Sequence, residues 1–170
     1  MLNPVLKVNF LKTIFGSKKP VIQSISVIKY PDRIFFETYY KIVDSYSTRS
    51  KEITISEINI SDFEIGKTIL KHLDLSRTIK KFTNKERIEN YEAYKKITGL
   101  KSIKAQMKDS VYVSISRQNN QITFYPTING GTSGQRKGYH FLDEEKIVIE
   151  DSEDFQSIGQ VLKLALEKCS

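Results

Sequence analysis

Two histidines and one cysteine are the only residues in this sequence with the side chains best suited to proton transfer at neutral pH or to soft-metal binding, and they are scattered. His72 falls on the apolar face of a predicted helix, where a hydrogen-bonded packing residue is expected. His140 falls in a predicted loop, open to a contact role. Neither has a second His or Cys at metal-ligand spacing. Cys169, next to the last residue, excludes an internal disulfide framework, and its helical apolar spacing reads as a small buried side chain in a reducing compartment. The run 130–138 holds four glycines in nine residues, yet it lacks Gly-Lys followed by Ser or Thr and opens no predicted helix. It is expected to be part of a long mobile connection between strands, 127–141, rather than a phosphate loop. Residues 143–154 hold seven carboxylates opposed only by Lys146. Adjacent solvated acids lack the unequal environments that paired acid/base catalysis needs, and 151–154 has a simpler role in complementing a helix N-terminus. No catalytic residue, metal site or cofactor site is assigned, and the expectation is a protein that is not an enzyme.

With catalysis set aside, charge points to binding. The net charge of +7 is concentrated: residues 77–108 carry ten basic side chains against Glu86, Glu89 and Glu92, which equals the whole excess. Such a segment is either a solvated face or a surface for an acidic partner.

Several elements must position these groups. Strands are predicted at 21–28, 34–40, 41–46 and 52–56, with Tyr30-Pro31-Asp32-Arg33 as a turn. Ser61-Asp62-Phe63-Glu64 has the form of a capping box, opening a helix with Ile65, Ile69, His72 and Leu73 on one face and ending near Ser76. Thr83-Asn84-Lys85-Glu86 opens a second helix, with Ile88, Tyr91, Tyr94 and Ile97 as its apolar positions and Gly99 as its stop; 100–108 continues as a short helix. Strands follow at 111–116, 121–125 and 146–150, the first two joined by the polar loop 117–120. The acids 151–154 then open a last helix whose Phe155, Ile158, Val161, Leu162, Ala165, Leu166 and Cys169 fall at i, i+3, i+4 spacing. A shift of 93 residues places Ile65-Gly66 on Ile158-Gly159, Ile69 on Leu162 and Leu73 on Leu166. The fold class is therefore α+β: antiparallel sheet from two weakly similar strand-then-helix halves, joined by a basic helical connector. Gly66 and Gly159 are expected to let each helix approach its sheet closely, since Gly within a helix otherwise costs about 1 kcal/mol against Ala.

At 170 residues the chain is expected to form one domain. Residues 1–15 are interrupted by Asn3, Lys7, Asn9 and Lys12 and do not read as a secretory signal. No stretch approaches the roughly 18 uninterrupted apolar residues of a membrane span. The protein is expected to remain soluble in the compartment where it is made.

The C-terminal blocks Ile147-Val148-Ile149, Ser157-Ile158-Gly159 and Leu162-Lys163-Leu164-Ala165-Leu166-Glu167-Lys168-Cys169 resemble the ending of a family of contact-dependent growth inhibition (CDI) immunity proteins. The blocks Ile60-Ser61-Asp62-Phe63-Glu64-Ile65-Gly66, Val111-Tyr112-Val113-Ser114 and Ile122-Thr123-Phe124-Tyr125-Pro126-Thr127 resemble that family as well. These are packing signatures covering about half of the chain. The sequence departs from the family after Pro126, where Thr127 and Ile128 lead into the glycines and no Trp follows, so no contact residue is carried over. The resemblance implies a cytoplasmic bacterial protein that forms a 1:1 complex with the C-terminal toxin domain of a large secreted effector, often a nuclease, and occludes its active site or substrate surface.

A nuclease's basic groove would repel residues 77–108, which favours the C-terminal half as the contact surface. There Arg136, Lys137, Tyr139 and His140 are candidate anchors beside the carboxylates Asp143, Glu144 and Glu145. An acidic toxin surface would instead select Lys95, Lys96, Lys101 and Lys104. The competing reading is a nucleic-acid-binding module built on residues 77–108, with Tyr91 and Tyr94 stacking on bases; under the immunity reading nucleic-acid binding is weak and nonspecific, and there is no membrane partner.

Overall fold

The computed structural model describes residues 21–152 and 154–170. The expectation about residues 1–15, and the part of the acidic run at Glu153, lie outside the described residues.

Strand β1 (Gln23–Lys29) pairs antiparallel with β2 (Arg33–Ile42) across the expected turn, which is closed by Tyr30 N donating to Arg33 O at 2.8 Å. β2 pairs with β3 (Ser47–Glu57). The predicted division into strands 34–40 and 41–46 is corrected here. β2 runs on to Ile42, and 43–46 is the turn into β3, closed by Ile42 N donating to Tyr46 O, with Asp44 at φ 53°. The β-branched and aromatic residues of that stretch imitate a strand, but Asp tolerates the left-handed backbone a tight turn requires.

Helix α1 (Asp62–Leu75) starts on Ser61, whose hydroxyl accepts from Glu64 N, and ends at Ser76 as expected. The return half of the box is absent: the Glu64 carboxylate lies 3.7 Å from Lys67 Nζ. A two-residue strand β4 (Thr78–Ile79) pairs parallel with the end of β2. Helix α2 (Asn84–Thr98) has the full capping box between Thr83 and Glu86, and stops at Gly99 in the left-handed conformation. Of its four predicted apolar positions only Tyr94 is buried; Ile88, Tyr91 and Ile97 are exposed. Helix α3 (Ile103–Met107) follows.

β5 (Val111–Gln118) and β6 (Gln121–Asn129) are longer than predicted, because the loop shrinks to Asn119-Asn120, both at positive φ in a two-residue hairpin. The expected connection 127–141 is also shorter. β6 reaches Asn129 and pairs with β7 (Tyr139–Phe141), leaving a tip at 130–138 in which Gly130 N donates to Gly138 O and Gly138 N to Gly131 O. His140 therefore lies in a strand, not in a loop. A 3-10 turn at Asp143–Glu145 leads to β8 (Ile147–Glu150), which also pairs with β6. Helix α4 (Phe155–Glu167) is capped by the Asp154 side chain.

The sheet order is β3-β2-β1-β5-β6-β7, with β8 beside β6, and all pairing but that of β4 is antiparallel. The halves β1-β2-β3-α1 and β5-β6-β8-α4 meet at the central β1/β5 pair, where Ser26 faces Ser114. On one face, Ile25, Val27, Phe36, Val113, Ile115 and Phe124 pack under α1 and α4. The two glycines do not serve helix-to-sheet approach as expected. A Cβ on Gly66 would lie 1.9 Å from Phe155 O, and one on Gly159 2.0 Å from Asp62 O, so each glycine admits the first turn of the other helix. The repeated Ile-Gly is thus one reciprocal helix crossing.

Candidate functional site

Side chains alternate across a sheet, so the residues between those core positions must point to the opposite face. There the sequence supplies Ser26, Glu37, Tyr39, Arg49, Tyr112 and Ser114 beside the apolar Ile28 and Phe35. The connector of α2 and α3 covers part of this face. Its attachments are few: Tyr94 and Met107 are buried, Leu100 joins a small cluster of Ile28, Tyr30 and Phe35, and Tyr30 Oη donates to Gln106 O at 2.7 Å.

Beneath α2 lies an ionic cluster that the sequence reading did not find. Glu37 is fully buried, with Oε2 3.0 Å from Arg49 Nε as an ion pair and 3.2 Å from the Ser26 hydroxyl. The Arg49 guanidinium stacks over the Tyr94 ring at 3.9 Å. Burial pushes the Glu37 carboxyl up, and Arg49 and Ser26 pull it back toward the charged form. Burial is the largest single influence on Arg49 and works against its charge, but Glu37 together with Tyr39 and Tyr94 outweighs it and raises the guanidinium. Burial is also the main cause raising the Tyr94 and Tyr112 hydroxyls. The buried Tyr94 hydroxyl interacts with the buried Glu37 carboxylate, in a geometry short of a well-aligned hydrogen bond. A bulge in the β2–β3 pairing between Glu37 and Tyr39 sits at this cluster, where irregular pairing re-aims side chains. The sequence carries no signal for the cluster: Glu37 is one polar position of a predicted strand and Arg49 lies between the predicted strands 41–46 and 52–56, so the pair is invisible until β3 and its register are known.

Next to the cluster opens a cavity of about 420 Å³, within the range of ligand-sized pockets. Tyr39, Tyr112, Tyr139 and Phe141 form its aromatic wall. Tyr112 and Tyr139 stack with ring centroids 4.7 Å apart, and Tyr139 Oη lies 2.6 Å from Ser110 Oγ. α3 supplies Ile103, Gln106 and Met107 on the other side, and Arg49 is the one charged residue in the lining. Ile103 and Phe141 are 63% and 56% exposed, so the rim is apolar as well as open.

The sequence-predicted residues fall around this cavity unevenly. Tyr139 lines it, half-buried and held by Ser110 and Tyr112. Arg136, Lys137 and His140 are exposed beyond it, with His140 Nε2 2.9 Å from Arg136 O. Asp143, Glu144 and Glu145 are exposed on the turn after Phe141 and do not line the cavity; Glu145 pairs with Lys168. Lys101 and Lys104 are exposed beside the α3 residues that do line it, whereas Lys95 lies over the Tyr91 ring and pairs with Glu92. Tyr139 and the connector, read from sequence as parts of two alternative surfaces, thus meet across one opening. Among the described residues no group of three or more His, Cys, Asp or Glu is placed to hold a metal ion, and no helix is long and apolar enough to cross a membrane.

The family model of CdiI, described as CDI immunity protein, matches residues 23–169. Among solved structures, the chain is similar to a protein of unknown function from Neisseria meningitidis, with TM-score 0.72 at 18% identity over 88% of this chain and 96% of that one. It is similar also to a chain of the CdiA-CT/CdiI toxin and immunity complex from Yersinia pseudotuberculosis, with TM-score 0.71 at 20% identity over 89% of this chain and 100% of that one. No curated protein matches significantly.

Proposed function

The chain belongs to the CDI immunity protein family, and on that premise we propose that it binds and neutralises the C-terminal toxin domain of a cognate CDI effector in the bacterial cytoplasm, as one domain in a 1:1 complex and without turnover. The observation that carries this reading is the cavity bounded by Tyr139, Phe141 and Ile103. Large apolar side chains line an opening that none of the described residues fills, and Tyr and Arg around such an opening are the residue types enriched in binding hot spots. The sheet fold shared with a chain of the Yersinia toxin and immunity complex supports it.

The toxin is read as a nuclease whose active site or substrate surface is occluded. Its basic groove would face Asp143, Glu144 and Glu145, with Arg136, Lys137, Tyr139 and His140 as neighbouring contacts. A toxin with an acidic face would lean on Lys95, Lys96, Lys101 and Lys104 instead. Nucleic-acid binding by residues 77–108 loses one of its two stacking groups, since Tyr94 is buried under Arg49. Weak binding that vanishes near physiological salt is what remains for it.

Calorimetric titration with the toxin domain encoded immediately upstream tests the reading, together with protection on co-expression. Tyr139→Ala should raise the dissociation rate, at a cost of about 1 to 3 kcal/mol. Neutralising Asp143, Glu144 and Glu145 together should slow association and flatten its salt dependence. Neither heat nor protection from the wild-type protein would sink the proposal.

A further inference from the structure

We propose that the cavity takes an acidic side chain of the toxin, its carboxylate seated on the Arg49 guanidinium. This rests on the immunity reading and specifies what the partner must bring.

Among the described residues the lining holds one cation and no acid. Arg49 is held by Glu37 at Nε, by the Tyr94 ring beneath its plane and by the Tyr39 hydroxyl, yet its side chain remains 26% exposed and lines the cavity. A guanidinium fixed in this way has lost its rotamer freedom before the partner arrives, and its planar fork suits a carboxylate in two-point contact. The Glu37–Arg49 pair is itself neutral. The positive surroundings come from Lys101, Lys104 and Lys108, which flank the α3 residues at the opening and are all exposed.

The rival occupant is a basic side chain drawn to the Glu37 carboxylate. Neither Glu37 nor Tyr94 lines the cavity, so an entering group meets Arg49 first. A purely apolar occupant would strip water from the guanidinium and leave it only Glu37 and the Tyr39 hydroxyl as partners, which is costly for a charged group. The acids at 143–145 lie past Phe141 and outside the lining. A toxin carboxylate in the cavity and a basic toxin flank against those acids would fix the docking register by alternating charge.

Ile103 is the place to test the sign, because it lines the opening and is largely exposed, so substituting it leaves the core intact. With the upstream-encoded toxin domain as titrant, both Ile103→Glu and Ile103→Lys should lose the apolar contact, but Ile103→Glu should bind about tenfold or more weaker than Ile103→Lys, mostly through slower association. The reverse order would mean a basic occupant, and equal losses an apolar one; either result overturns the proposal. In a second experiment, Arg49→Lys keeps the charge beside Glu37 but removes the fork. Its loss of affinity should be non-additive with the Asp→Asn or Glu→Gln substitution of one toxin residue only. Wild-type binding with no toxin carboxylate coupled to Arg49 refutes this inference alone, whereas no binding by wild type refutes the immunity reading beneath it. Should Arg49→Lys fail to fold, the Ile103 pair decides.

Discussion

The two faces of the sheet are built on opposite principles. Under α1 and α4 the strands present Ile, Val and Phe, the helices interlock through Gly66 and Gly159, and the buried residues form one continuous apolar cluster. Under α2 and α3 the strands present Glu37, Arg49 and tyrosines, the connector touches down at a few residues, and a cavity stays open. The first face has the density expected of a core. The second buries a charged pair, Glu37 and Arg49, with Ser26 and Tyr94 against it, and a buried charge is costly unless its partners are in place. Stability therefore rests mainly on the first face, and the proposed recognition on the second.

The largest effect expected on the polar face comes from Arg49→Met, which strands Glu37 as a buried unpaired carboxylate. A loss of about 3 to 5 kcal/mol is expected, read as a fall in the urea midpoint. Adding Glu37→Met should return much of it, because two apolar groups replace the pair together. If the double variant is no more stable than the single, the pair is not the origin of the loss.

On the apolar face the corresponding break is Gly66→Ala. Within a helix that change should gain about 1 kcal/mol, but here the new methyl would meet the Phe155 carbonyl at 1.9 Å. Backbone must move, so a loss of about 3 kcal/mol is expected, at the upper end of overpacking costs. Gly159→Ala should act alike, and the double variant should lose less than the sum, since helices already parted by one methyl make room for the other. Additive losses would argue that the two contacts are independent.

Local chemistry made much of the fold readable. Ser61, Thr83 with Glu86, and Asp154 mark helix starts where side chains meet backbone amides a few residues away. The spacing of Ile158, Leu162 and Leu166 marks the buried face of α4. The Ile-Gly repeat announced the duplication, but not that each glycine serves the other helix. What failed depended on distant partners or on backbone sign: the turn at Asp44, the closing of residues 130–138 into a hairpin tip, and above all Glu37 and Arg49, ordinary polar positions until register places them together. Of the cavity, Tyr139 alone was singled out in advance; Phe141 and Ile103 carried no signal beyond being apolar beside polar neighbours.

The apolar face has one polar node, and it yields a pH dependence. His72 is buried between two threonines, with Nδ1 2.8 Å from Thr38 Oγ1 and Nε2 2.8 Å from Thr54 Oγ1. Burial, with a smaller contribution from Lys71, lowers its pKa to about 4, against an opposing pull from Glu52. The unfolded chain titrates this group near 6.5. Between those values the unfolded state binds a proton that the folded state refuses, so stability falls as pH drops from about 6.5 to 4 and loses nothing more from this group below that. The loss should be of order 2 to 3 kcal/mol across the window. His72→Gln should flatten that part of the profile, and an unchanged slope would place its origin elsewhere.

The smallest expected change in stability is also the one that most directly separates the two faces. Phe141 is 56% exposed, lines the cavity, and has one ring neighbour, Tyr125, at 5.8 Å between centroids. Phe141→Ser removes that contact and a partly solvated ring, so the free protein should lose no more than about 1 kcal/mol. In the proposed complex the same ring is covered by the toxin and sits at the mouth of the cavity. Its removal should then cost about 2 kcal/mol of binding, in the range of interface hot spots, and appear mainly as faster dissociation. An exposed apolar residue on the helical face, Leu164, supplies the control. Leu164→Ser should disturb stability as little as Phe141→Ser does, and leave toxin binding unchanged. If the two variants affect binding equally, the division of labour between the faces is wrong, even if the protein still neutralises its toxin.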